Sequence, residues 1–471
     1  MSIEASPTTA QLGLRLPRGV TMAALAVSMF LIILDTSMVN LASLSIRTSL
    51  GLSAAELTLT VNSYLVAFAG LLLLGGRLAD VLGPRRTFLA GMILYVAASA
   101  FCALATSGPL LITGRVGQGI GAAISIPSAL ALVLTLYTTP TERTRAMGIW
   151  GAVGGAGSLI GVFLGGVLTQ ALGWQSVFWT PVPLGIVSAI MVWRAVPAMP
   201  GRPGRFDLAG ALTITVGISA LALGMVSASE AGWTAASSII GIAVGVVALA
   251  AFVLAEHRSP HPLVPLAVFR RRPVVTATVV MVLLGATLTS LFFFLPLYQQ
   301  DVLGMSALTA GLAQIPIAVM IIVGSVLAPW LAKLLGVRSA LHGALVLLLA
   351  GFLWLVLNPT TDGFSINLLG AFLLIGIGLG LGLVNAISMA VRDSGDGESG
   401  LLSGLVNAAQ QLGGAVGLAA LAGIAIAAGG DGGISFTAAF LGGAALIALA
   451  LTLSVLLRIG DRSDPTTPYA G

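Results

Sequence analysis

From Val20 to Leu457 the chain alternates between long apolar runs and short polar clusters, and the runs carry almost no charge. Crossing the hydrocarbon core of a bilayer takes about 20 apolar residues as helix, a form that satisfies its own backbone hydrogen bonds where no water can. The runs predict spanning helices near 20–41, 57–76, 87–106, 109–136, 146–170, 176–194, 208–228, 236–255, 273–298, 308–332, 338–357, 364–390, 400–428 and 435–457, fourteen in all. An even number puts both chain ends on one side of the membrane.

The polar clusters test that count. Lys and Arg gather on cytoplasmic loops, so they fall on alternate connections only when no helix is missed or invented. Of the 21 basic residues, 19 lie on the side of the N-terminus; Arg47 lies on the other, and Arg115 falls inside the fourth helix. Both termini are therefore expected in the cytoplasm. Trp150, Trp174, Trp193, Trp233, Trp330 and Trp354 fall near predicted helix ends, where an amphipathic ring prefers the interface.

Composition narrows the class. With 471 residues, 57% hydrophobic and 8% charged, and a mean hydropathy of +1.06, the chain is far from a soluble domain, where roughly 25% of residues are charged. A formal charge of +5 on a soluble protein would suggest nucleic acid; here topology explains it, and no nucleic-acid partner is expected. Lys333 is the only lysine, a bias that with abundant Ala and Gly points to a GC-rich bacterium and hence to its cytoplasmic membrane. The first run is too long for a signal-peptide core, so it is expected to stay attached. Cys102 is the only cysteine and can form no internal disulfide. HExxH, GxSxG and P-loop signatures are absent, and Pro260 between His257 and His261 argues against a helical metal pair. Neither an enzyme nor a metal or cofactor site is expected.

An internal echo sets the architecture. "LADVLGPR" (Leu78 to Arg85) after the second helix returns as "LAKLLGVR" (Leu331 to Arg338) after the tenth, both on the N-terminal side. Parallel repeats are one way to build an alternating-access transporter around a central cavity. The expectation is an all-α membrane protein: a tail over 1–19, a six-helix half over 20–195, Pro- and Arg-rich linkers with two inserted helices over 196–272, a second six-helix half over 273–458, and a tail over 459–471.

Asp35 is the acid to explain. At about 1.5 Å per residue it lies roughly 22 Å into the first helix, and Arg115, entering from the opposite face, lies about 9 Å in, so the two reach comparable depths. Charges in hydrocarbon are expensive and usually face a cavity or each other; a pair that only fixes helix packing is the plainer alternative. An acid that trades its proton against a solute lets a proton gradient drive solute the other way, with about 2.3 kcal/mol per charge from 100 mV. The turn "GGRLADVLGPRR" gathers Gly76, Arg77, Asp80, Gly83, Arg85 and Arg86, a set suited to making and breaking ion pairs as two halves rock. Gly117 and Gly121, Gly157, Gly161 and Gly165, and Gly413 and Gly417 recur four apart, a spacing that allows close helix contact. Met38, Asn62, Gln118, Gln314, Asn407 and Gln411 are the candidate lining of a cavity for a small, largely apolar solute, with interhelical hydrogen bonding as the other use of the amides.

These segments resemble the major facilitator superfamily, and within it the fourteen-helix drug:proton antiporter family. "LDTSMVNLA" is similar to the family's first-helix signature, with Asp35 at its acid; "GRLADVLGPRR" to the signature after the second helix; and "RVGQGIGAA" to that of the fourth, with Arg115 at its arginine. The resemblance spans nearly the whole chain. It implies proton-driven export of drugs, antibiotics or secondary metabolites by a monomer in the bilayer, with Asp35 and Arg115 in coupling and the turn after the second helix in switching. Two places depart from the pattern: Val162 stands where the antiporter signature of the fifth helix has proline, and Pro181 where similar sequences carry asparagine. Proton-coupled nutrient uptake, which the same fold supports, and a non-transporting membrane sensor remain alternatives.

Overall fold

The computed structural model describes residues 17–137, 139–197, 201, 208–259, 262, 266–357, 366–392, 398–429 and 433–459. Among them every regular element is helical: α1 (Arg18–Leu50), α2 (Ala54–Leu82), α3 (Pro84–Ala103), α4 (Gly108–Leu136), α5 (Pro140–Leu172), α6 (Gln175–Trp179), α7 (Pro181–Ala195), α8 (Leu208–Ala231), α9 (Ala236–Arg258), α10 (Arg272–Leu297), α11 (Ala307–Ala313), α12 (Ile315–Leu335), α13 (Val337–Leu357), α14 (Ile366–Val391), α15 (Glu398–Ala427) and α16 (Phe436–Ile459), with a 3-10 turn at Leu266–Arg270 and a π turn at Tyr298–Val302. Thirteen segments among the described residues are long and apolar enough to cross a membrane, counting α6 with α7 and α11 with α12; α5, 33 residues long, is the fourteenth helix.

Local sequence sets the ends. Glu56 N donates to Ser53 Oγ at 3.1 Å and Ser53 N to Glu56 Oε2 at 2.9 Å, a reciprocal cap that starts α2. Proline at the first turn starts α3, α4, α5, α7, α10 and α12, where a missing N–H leaves nothing unpaired. Two predicted spans are broken. The sixth divides at Thr180–Pro181 into α6 and α7, and the tenth at Gln314, just before Pro316, into α11 and α12. The fifth begins earlier than expected, at Pro140, so Trp150 lies well inside α5, 7% exposed, rather than at an interface.

The repeat is real in three dimensions. In the first half α4 packs on α2 and α3, and α1 packs on α5 and α7; in the second, α14 packs on α12 and α13, and α10 on α15 and α16. The echoed turns match as well, since Gly83 and Gly336 hold φ of +92° and +82°, a region that favours glycine. Glycines make the pairings tight: a methyl added at Gly161 would stand 2.8 Å from the Leu34 carbonyl of α1, and one at Gly413 would collide with the Val282 carbonyl of α10. The halves meet where α2 packs on α15, α5 on α11, and α1 on α10. The inserted α8 and α9 pack on each other, and α8 also lies against both α2 and α15.

Candidate functional site

Asp35 of α1 and Arg115 of α4 meet, each 0% exposed. Arg115 Nη1 donates to Asp35 Oδ2 at 2.9 Å and to Gln118 Oε1 at 2.9 Å. Gln118, one turn on, donates from Nε2 to Asp35 Oδ1 at 3.3 Å and to Ser99 Oγ of α3 at 2.8 Å. The Cys102 thiol reaches the same Gln118 oxygen at 3.6 Å. Glycine brings α3 this close, since a methyl at Gly121 would lie 2.6 Å from Tyr95 N. The Arg115 guanidinium lies 4.4 Å from the centre of the Tyr64 ring and 6.0 Å from that of Phe178, while its Nε has no hydrogen-bond partner among the described residues. A buried pair of this kind is not strong evidence of stabilisation, but losing one member strands the other at a cost of about 3–5 kcal/mol.

Beside this cluster, between the halves, lies a cavity of about 1070 Å³. Among the described residues, four helices of each half wall it: α1, α2, α4 and α5 face α10, α12, α14 and α15, with Gln314 at the junction of α11 and α12. It reaches Gly76, Arg77 and Asp80 at the end of α2, Pro262 and Val268 before α10, and Gly404 near the start of α15, all at the arginine-rich end of the bundle. The other end is sealed. There Leu41 packs with Met305, Ala310 and Ala313, Gln300 Nε2 donates to the Leu41 carbonyl at 3.0 Å, and Gly311 abuts the Val162 carbonyl. Among the described residues, the cavity thus extends to the arginine-rich end of the bundle and is closed off at the other.

The wall and the charged pair are separate. Met29, Ile32, Ile33, Thr36, Ser37, Asn40 and Leu41 of α1 line the cavity at helical spacing, and Asp35 lies off that stripe. Tyr64 stands between: it lines the cavity and also carries Arg115 on its ring. Of the candidate lining residues, Gln314, Asn407 and Gln411 are on the wall. Met38, Asn62 and Gln118 are not, which corrects the expectation for these three. Met38 is turned toward α5, where a methyl at Gly165 would meet its α-carbon at 2.8 Å; Asn62 is 1% exposed, off the α2 stripe of Tyr64, Phe68 and Leu72; Gln118 is committed to the ion pair. Asn40 and Gln410, which the sequence also offers among the helix amides able to line a cavity, are on the wall too, whereas sequence reasoning missed Tyr64 and Trp150 as lining, although the stripe on α1 is itself a sequence signal.

At the open end, Arg77 Nη1 and Asp80 Oδ2 are 3.8 Å apart with side chains 28% and 60% exposed, a geometry worth about 1 kcal/mol or less. Arg85 Nη2 donates to the Trp193 carbonyl of α7 at 2.7 Å, tying the turn to the last helix of its half. Gly76 faces Pro127 of α4, Gly83 supplies the positive φ, and Arg86 is exposed. At the same end, Arg18 pairs with Glu142 at 3.4 Å, donates to the Leu136 carbonyl and covers the Tyr137 ring, linking the starts of α1 and α5 to the end of α4.

The family model described as Major Facilitator Superfamily matches residues 25–418. The chain is 40% identical over 395 residues to the cephamycin export protein of Amycolatopsis lactamdurans, covering 83% of this chain and 81% of that one. It is 36% identical over 394 residues to the puromycin resistance protein of Streptomyces alboniger, covering 83% and 78%. Among solved structures, a POT family transporter crystallised in meso superposes with a TM-score of 0.69 at 17% identity, covering 94% of this chain and 99% of that one, a likeness of fold alone.

Proposed function

Because the chain belongs to the Major Facilitator Superfamily, we propose that it exports an antibiotic or a comparable toxic small molecule from a bacterial cell, by alternating access driven by inward proton flow. The observation that carries the reading is the cavity between the halves, open at one end and sealed by α5, α11 and Leu41 at the other. Its volume lies at or just above the upper end of the range for drug-sized ligand sites, about 300–1,000 Å³, and one chain supplies every wall, which supports a monomer as the working unit. The excess of arginine at the open end supports a cytoplasmic mouth in the inner membrane, with both termini on that side.

Asp35 is the proton carrier in this scheme. Unprotonated, it pairs with Arg115; a proton on Oδ2 removes the charge that holds the guanidinium, leaving Arg115 to Gln118 and the Tyr64 ring. Tyr64 is also cavity wall, so a shift of Arg115 alters the surface that the solute meets, and a solute pressing on Tyr64 alters the pair. The turn holding Arg77 and Asp80 at the mouth is placed to break and re-form as the open end closes.

The test is a susceptibility panel of antibiotics in a sensitive host with and without the chain, repeated with a protonophore. Resistance to at least one compound that disappears with the gradient is the expected result. A nutrient-dependent growth defect on deletion, with no change in susceptibility, would replace export by uptake, and no change in either would leave a sensor.

A further inference from the structure

The cavity wall defines its solute more narrowly than apolarity does; this step rests on the export reading above. Asn40 lines the cavity while only 8% exposed, and its side-chain oxygen has no hydrogen-bond partner among the described residues. Asn407, Gln410 and Gln411 of α15 line the same space, and the described residues give none of the three side chains an internal partner. Each amide offers both donors and an acceptor, and an amide without a partner in a closing chamber is a standing deficit that a bound group can fill. Phe68, Trp150 and Phe292 add broad apolar faces.

Charge is sparse on the wall: among the described residues, its only charged ones are Arg77 and Asp80, which face each other at the mouth. Asp35 and Arg115 balance each other's charge behind Tyr64, off the wall. A fixed charge carried inward and sealed from water would meet no described residue of opposite sign beyond that mouth pair.

We propose that the chamber takes an uncharged solute with an apolar ring body bearing carbonyl, amide or hydroxyl groups, that Asn40, Asn407, Gln410 and Gln411 determine this specificity, and that the same solute with a fixed charge is refused. The experiment uses inside-out membrane vesicles containing the full chain, whose outer face presents the cavity mouth, energised by an imposed proton gradient. The probes are matched pairs built on anthraquinone, acridone and benzanilide, each uncharged and with a quaternary trimethylammonium arm. For at least one scaffold the uncharged member should accumulate about tenfold over vesicles lacking the chain, with its charged partner near background. Asn407→Leu and Gln411→Leu should each lower that uptake, and Asn407→Asp should admit the cationic partner. Equal uptake of both members, no uptake of any scaffold, or full uptake by both leucine variants overturns the inference while resistance in the antibiotic panel still stands. Absence of resistance in that panel overturns the export reading itself.

Discussion

Asp35→Asn keeps the shape of the side chain and removes the charge that Arg115 needs. Gradient-driven transport should be abolished in proteoliposomes while solute exchange down its own gradient persists. Thermal unfolding of the purified variant should show a destabilisation of up to about 3–5 kcal/mol, because Arg115 is left buried without its carboxylate. Full driven transport would remove Asp35 from the mechanism. Tyr64 separates a structural from a gating role. Tyr64→Phe keeps the ring beneath the guanidinium, an interaction worth about 2 kcal/mol when desolvated, and should transport nearly as the parent does. Tyr64→Ala opens the wall onto the pair and should raise solute-independent proton leak, read with a pH-sensitive dye inside the vesicles; an unchanged leak would strip Tyr64 of its gating role. Asp35 and Arg115 were legible because a charge in an apolar run is conspicuous. Tyr64 was not, since a tyrosine in a spanning helix looks the same whether it packs, anchors or divides two compartments.

The helices obey the same logic one level up. α5 runs unbroken through Val162, whose carbonyl faces Gly311 across the sealed end. Val162→Pro removes a backbone donor and sets the ring against the preceding turn, a cost of about 3 kcal/mol in a helix interior, and should lower the unfolding midpoint and loosen the seal. Unchanged stability and transport would show that the α5 backbone tolerates either residue. Gly161→Ala should also destabilise, because its methyl would crowd the Leu34 carbonyl; Gly404→Ala, with open space around it, should be neutral or stabilising by up to about 1 kcal/mol. Span number followed from run length, since hydrocarbon thickness fixes how many apolar residues a helix needs. The breaks at Pro181 and Gln314 did not, because each falls inside a run that stays apolar across the interruption. The early start of α5 escaped for the opposite reason: its first turns hold Glu142, Arg143 and Arg145, which read as loop.

For the molecule as a whole, the seal is the feature that alternation must undo. Joining Leu41→Cys to Met305→Cys with a short thiol cross-linker, in a Cys102→Ser background, should hold the sealed end shut and stop transport, with recovery on reduction if the linker is cleavable. Continued transport by the linked form would mean that this end is not an exit. The two-half plan was legible from an eight-residue echo, and the shared packing of the halves explains why: the turn after the second helix of each half needs the same glycine geometry. What the chain could not reveal in one dimension was which face of each helix looks inward, since that depends on partners far away in sequence. The inserted α8 lies against both α2 and α15, whereas among the described residues the pseudo-equivalent junction of α5 with α11 and α12 has no comparable third helix. The two flanks are therefore mechanically unequal: one is splinted by a third rod, and any hinging between the halves should be freer on the unsplinted side.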